Sequence, residues 1–236
     1  MPCGNFWPDF PQTVVLLAIP RHHDGMILVG QFDSPFVRRV AVTLNHYHMP
    51  FARNPLSIFR NAVEVQKINP LLRVPALILE SGEVLVDSHA IIDHLDERAG
   101  PARALTPPRG DERRKILQAV FLAAGIAEKV VQTFFERLNH PGRVAKDWEK
   151  RLLSQISTSL VQLERGCGTP WYFDDKLSQA DVTTACMIMH MKMRVPECFP
   201  AHAFPKLHAL ALHCETLDAF ADARPGADET VPSVKT

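Results

Sequence analysis

From Met26 onward, short apolar runs alternate with amphipathic ones, and the spacing of apolar positions switches between about 2 and about 3.6 residues. Residues 26–32 are apolar and bounded by Gly30 and an Asp-Ser-Pro turn, which predicts a buried strand. Pro35 suits the first position of a helix, where its missing N–H costs nothing, and Ser34 suits the cap before it. That helix is expected to reach about His46, with Phe36, Val37, Val40 and Leu44 as its apolar stripe. A second strand is expected over 51–56. Two more, over 76–79 and 84–86, form a hairpin about Ser81-Gly82. Ser88 is placed as the cap of a helix over 90–98 that carries Ile91, Ile92 and Leu95.

The stretch 100–108, rich in Gly and Pro, interrupts this pattern and reads as a linker. Beyond it only helical periodicity remains: amphipathic runs over 111–138 and 144–163, a helix over 178–193, and a final one over 205–220. Ser178-Gln179-Ala180-Asp181 is close to a capping box, with Asp where Glu or Gln is usual. The fold class expected is an α/β thioredoxin-like N-terminal domain followed by an all-α C-terminal helical domain. The expected boundaries are a leader outside the fold over 1–25, the α/β domain over 26–100, a linker over 101–109, the helical domain over 110–222 and a frayed tail over 223–236. In the leader the apolar run 14–19 is too short to cross a bilayer and no Lys or Arg precedes it. Pro2, Pro8, Pro11 and Pro20 oppose regular structure there.

Composition narrows the function classes. The 236 residues are 46% apolar and carry 26 basic against 26 acidic side chains, which leaves no broad basic surface for nucleic acid. No nucleic-acid or membrane partner is expected. Cys3, Cys167, Cys186, Cys198 and Cys214 are odd in number and show neither CxxC nor zinc-finger spacing. They read as reduced, mostly buried thiols in a cytoplasmic compartment, with Cys167, between two glycines, as the candidate for an exposed reactive one. His22 and His23 lie in the leader, His46 and His48 at a helix end, and His202, His208 and His213 lack an HExxH arrangement. No metal site is expected.

Four pieces taken in order carry the chemistry: Ser34-Pro35-Phe36-Val37-Arg38-Arg39-Val40, Ile68-Asn69-Pro70 with Val74-Pro75, Asp87-Ser88-His89-Ala90-Ile91, and Ser178-Gln179-Ala180-Asp181-Val182. Together, over about 26–220, they resemble the glutathione transferase superfamily, specifically bacterial members with serine at the catalytic position. The resemblance implies a homodimer that binds glutathione as co-substrate through its N-terminal half and a small electrophile between the domains.

A free thiol has a pKa near 8.5, and making the thiolate dominant at neutrality needs a depression worth about 3 kcal/mol. One hydrogen bond to a charged acceptor contributes about 1.5–3 kcal/mol, and a helix N-terminus about 0.3–1 more. A Ser34 hydroxyl aimed at sulfur therefore suffices without ionising. Capping alone explains the same serine. By resemblance, Val74 and Pro75 form the cis step whose preceding residue offers backbone N–H and C=O to the cysteinyl part; by itself the sequence is compatible with either isomer. Ser88 and the first N–H groups of its helix can receive the γ-glutamyl carboxylate, and Asp87 can offset the ammonium; helix capping is the plainer reading of both. Phe36 is expected to divide itself between the core and the site edge. Arg38 and Arg39 are expected in structural ion pairs or at the surface. Phe121, Phe134 and Phe135, at helical spacing, read as core.

The function expected is a glutathione transferase, of the detoxifying kind, with Ser34 holding the thiolate. A thiol reductase would use cysteine where Ser34 stands, and no cysteine falls between Met26 and Gly166. The alternatives are a glutathione-dependent isomerase or dehalogenase, and a non-catalytic binding or assembly module on the same architecture.

Overall fold

A computed structural model describes residues 25–173 and 176–229; the expected leader over 1–25, except Gly25, and the end of the tail lie outside them. Strand β1 (Met26–Val29) leads into helix α1 (Pro35–His46), and β2 (Phe51–Asn54) pairs with β1 in parallel. Helix α2 (Ala62–Ile68) connects to β3 (Ala76–Ile78) and β4 (Val84–Val86), which are antiparallel and give the sheet order β2-β1-β3-β4. Helix α3 (Ser88–Ala99) closes this mixed sheet of thioredoxin type. The rest is helical: α4 (Gly110–Asn139), α5 (Lys146–Gly166), α6 (Gln179–Arg194), a short 3-10 turn (Pro196–Cys198), α7 (Pro205–Cys214) and α8 (Asp218–Ala221).

One continuous core joins the two halves. Met26 and Leu28 of β1, Val37, Val40 and Leu44 of α1, and Ile91 and Leu95 of α3 pack in the same cluster as Val120, Ile126 and Val130 of α4 and Val182, Met187 and Met191 of α6. Helix α4 is long and apolar enough to cross a bilayer by length and composition alone. Half of that stretch is packed inside the protein, where α4 meets α5 and α6. The opposite face of the sheet, with Val29, Ala76 and Ile78, is covered by Ile68 of α2 and by Leu56.

Strand β1 stops three residues earlier than expected because the chain turns at Gly30. There φ is +125°, and a Cβ would meet Val37 Cγ2 at 2.6 Å and Val74 Cβ at 2.9 Å. Only glycine allows the start of α1 and the Val74 loop to approach this closely. Strand β2 ends before Pro55, which has no N–H to donate to a ladder.

Four expectations need correction. Ser88 does not cap α3: Asp87 does, with φ +70° and its carboxylate accepting from the His89 N–H at 2.8 Å, and Ser88 is the first helical residue. The final helix breaks after Cys214, where the Leu217 N–H donates to the Cys214 carbonyl in a tighter turn and Glu215 is drawn to Arg38. The tail over 223–229 does not fray. Ala223 is fully buried, and Glu229 accepts from the Phe32 N–H at 2.7 Å and pairs with Arg53. Cys167 is not an exposed reactive thiol: it is 2% exposed, and burial pushes its pKa up to about 12.

Candidate active site

The site begins at the mouth of α1. Ser34 is half-buried, and its Oγ accepts a long 3.4 Å bond from the Val37 N–H. Capping uses an oxygen lone pair; among the described residues nothing accepts the hydroxyl's own proton. The cap and a donor role are therefore compatible at one oxygen, because they use different parts of it. Phe36, in the first turn of α1, is half-buried against the core.

Ser34 lines a cavity of about 160 Å³ between the 31–36, 56–59 and 72–74 loops, α4 and α6. A smaller recess of about 70 Å³ adjoins it and shares Phe36, Arg73 and Val74 with it. Pro75, Asp87 and Ser88 line that recess. All six residues singled out in the sequence thus border one two-lobed cleft: Ser34 in the larger lobe, Pro75, Asp87 and Ser88 in the smaller, Phe36 and Val74 in both. The Val74–Pro75 bond is cis, and the Val74 N–H and C=O meet no partner among the described residues. An extended peptide laid along this edge would find both groups available.

In the smaller lobe, burial alone would raise the Asp87 carboxyl. The His89 backbone and side chain, followed by Arg39, outweigh it and hold the group below the usual carboxylate range. The carboxylate is therefore charged at neutral pH beside the N-terminus of α3. Arg39, expected in an ion pair or at the surface, is instead 2% exposed and lies 3.4 Å from His89 Nε2. Its guanidinium adds positive charge behind the recess.

The larger lobe is mostly apolar. Phe134 and Phe135 of α4 line it, along with Leu56, Ile58 and Phe59. Phe134 is buried, as expected of a core residue, but serves the cavity wall too; Phe121 is 52% exposed and stacks on His89 instead. Helix α6 contributes two groups that the sequence reading passed over. His190 Nδ1 lies 2.9 Å from the Asp33 carbonyl, and Arg194 pairs with the Asp33 carboxylate at 2.7 Å while standing over the Phe134 ring. Their spacing of i and i+4 places both on one face of α6, a signal visible in the sequence but silent about what that face would meet.

Residues 28–103 match the family model described as glutathione S-transferase, N-terminal domain. The whole fold superposes on the crystal structure of a glutathione S-transferase from Methylobacterium radiotolerans in complex with glutathione sulfonate. The TM-score is 0.80 at 28% identity, covering 86% of this chain and 95% of that one. Its N-terminal unit is a glutathione S-transferase domain, and the chain has the glutathione transferase fold. Two further relatives bear on which kind of glutathione transferase relative it is. The GST-like protein YibF of Escherichia coli (strain K12) is 27% identical over 72% of this chain and 83% of its own length. A probable maleylacetoacetate isomerase of Vibrio cholerae is 27% identical over 85% of this chain and 96% of its own. Within the superfamily fold, the two-lobed cleft opens at the seam between the matched N-terminal unit and the helical half.

Proposed function

We propose that the chain is a glutathione transferase in which Ser34 donates its hydroxyl proton in a hydrogen bond to the glutathione sulfur and keeps it as thiolate. The observation that carries this reading is the Ser34 hydroxyl, whose proton is uncommitted, in the lining of a cavity that shares Phe36, Arg73 and Val74 with the Asp87-Ser88 recess. The cysteinyl backbone pairs with Val74. The γ-glutamyl carboxylate meets Ser88 and the first N–H groups of α3, and Asp87 faces the ammonium. The solved relative from Methylobacterium, a complex with glutathione sulfonate, supports glutathione as the co-substrate.

The thiol proton passes to solvent on binding. The thiolate then attacks an electrophilic carbon in the larger lobe: a carbon–sulfur bond forms, and the leaving group departs with its bonding pair. Ser34→Ala is expected to lower turnover about ten- to hundredfold, the equivalent of one charge-assisted hydrogen bond, with the fold retained. Following thiolate absorbance of bound glutathione against pH gives the direct test. Wild type should hold thiolate well below the free thiol's pKa of about 8.5, and the variant should lose most of that shift. A variant with full rate and an unshifted titration would remove Ser34 from the mechanism.

A second reading, a glutathione-dependent isomerase, is favoured by the names of the Vibrio relative and of a Pseudomonas aeruginosa maleylacetoacetate isomerase, 25% identical over 88% of this chain. Both arginines at the cavity already face carboxylates, Arg73 with Glu128 and Arg194 with Asp33. That suits an uncharged electrophile better than a diacid, so the transferase reading stands first. Turnover without net consumption of glutathione would reverse the order.

The chain is further proposed to act as a homodimer whose seam joins one N-terminal domain to the partner's helices. The Phe121 and Val86 side chains, exposed beside the smaller lobe, are what such a seam would cover. A solution mass equal to one 26.5 kDa chain, rather than twice that, would overturn it.

A further inference from the structure

His190 stands in the wall of the larger lobe and has no part in the chemistry assigned to Ser34. Its ring is nine-tenths buried, and its Nδ1 faces the Asp33 carbonyl at 2.9 Å. A carbonyl oxygen can only accept, so the ring proton must sit on Nδ1. Burial, with Arg194 adding to it against the Asp33 contact, lowers the pKa to about 4 and keeps the imidazole neutral at physiological pH. The other nitrogen, Nε2, therefore carries a lone pair and no proton. Among the described residues it has no hydrogen-bond partner.

The neighbours do not supply one. Arg194, a turn further along α6, is directed to Asp33 and to the face of Phe134. Phe134, Phe135 and Val131 on the facing helix offer no donor. A residue of the wall thus carries a neutral acceptor that is shut off from water in apolar surroundings, where an unmet acceptor is costly and a matched one is selective. From the cavity and the unpartnered ring nitrogen we infer that His190 determines second-substrate specificity by accepting a hydrogen bond from a hydroxyl or N–H group carried by an apolar, ring-bearing electrophile. The inference rests on the transferase reading, since it takes the larger lobe as the electrophile's site.

Conjugates test it without requiring turnover. Dissociation constants would be measured by calorimetry for S-benzylglutathione and for its ortho, meta and para hydroxybenzyl and methylbenzyl derivatives. In the wild type at least one hydroxybenzyl isomer should bind about tenfold more tightly than its methyl isostere. His190→Asn keeps a donor toward the Asp33 carbonyl but deletes the distal acceptor, and should bring that ratio to about one while S-benzylglutathione binds within about threefold of wild type. His190→Phe, if it folds, should do the same. No hydroxyl preference for any isomer in the wild type, or a preference that survives in His190→Asn, overturns the inference while leaving the transferase reading intact. Failure of S-benzylglutathione itself to bind overturns both.

Discussion

Replacing Arg38 with methionine is expected to lower the stability of the folded chain by about 3–5 kcal/mol, a large share of the roughly 5–15 kcal/mol a domain possesses. Arg38 lies in α1, one residue after the Val37 that meets the Ser34 cap, and it is completely buried. Its two terminal nitrogens grip Glu215 at 2.7 and 2.9 Å, and its remaining bonds go to the carbonyls of Phe220 at 3.2 Å and Ala223 at 3.0 Å. Methionine fills much of the volume but leaves the Ala223 carbonyl without a donor and the Phe220 carbonyl with the Ala223 N–H alone, and it takes the guanidinium fork away from Glu215; stranded acceptors of this kind carry the desolvation cost. Arg38→Lys should lie between, since an ammonium keeps the charge but cannot reproduce the planar fork and the Nε contact together. Denaturant unfolding reads the loss as a lower midpoint. A methionine variant within about 1 kcal/mol of wild type would mean that the C-terminal segment is held by its apolar contacts alone.

That prediction concerns contacts between residues about 180 positions apart, and the distance marks what the sequence pattern conveyed. Helix α1 was legible end to end because its cap, its first-position proline and its apolar stripe are all local. The β3–β4 hairpin and the Ser178–Asp181 box were legible for the same reason. The break after Cys214 was not, since residues 205–220 keep a helical apolar period throughout. What bends the chain is a buried arginine in another element drawing in Glu215. Nor could the tail's order be read locally: Glu229 is one acid in a polar stretch until folding brings it to the Phe32 N–H and the Arg53 guanidinium, which stands 3.6 Å over the Phe32 ring.

The candidate site divides along the same line. Ser34, Val74-Pro75 and Asp87-Ser88 announce themselves through backbone features: a helix start, an X-Pro step and another helix start. The misplaced cap at Ser88 is a one-residue error of register. Both Asp87 and Ser88 are good capping types, and only the backbone conformation at Asp87, with φ +70°, decides between them. His190 and Arg194 carry no such signature. They sit in a helix buried on nearly all sides, where a histidine looks like one more interior residue, and only the meeting of α6 with the loop before α1 turns them toward the cavity. The isomer at Val74 was equally invisible, because both forms share one sequence.

Asp181→Ala is expected to cost about 3–5 kcal/mol, although the residue touches neither lobe of the cleft. Its carboxylate is wholly buried and accepts three bonds, from the Ser178 N–H at 2.8 Å, the Ser178 hydroxyl at 2.7 Å and the Tyr172 N–H at 2.6 Å. Burial raises its pKa and these donors oppose that rise, so the charge is tolerated only while all three are in place. Alanine strands two backbone donors and a hydroxyl at once. It also removes the Asp181 half of the capping box that starts α6, the helix that carries His190 and Arg194 in the cavity lining and packs against both α1 and α4. Asp181→Asn keeps one acceptor oxygen and should recover about half of the loss. The expected signature is a lower unfolding midpoint together with weakened binding of S-benzylglutathione relative to glutathione, since the larger lobe depends on α6 and the smaller lobe does not. A stability loss below about 1 kcal/mol would show that packing alone holds the start of α6 in place.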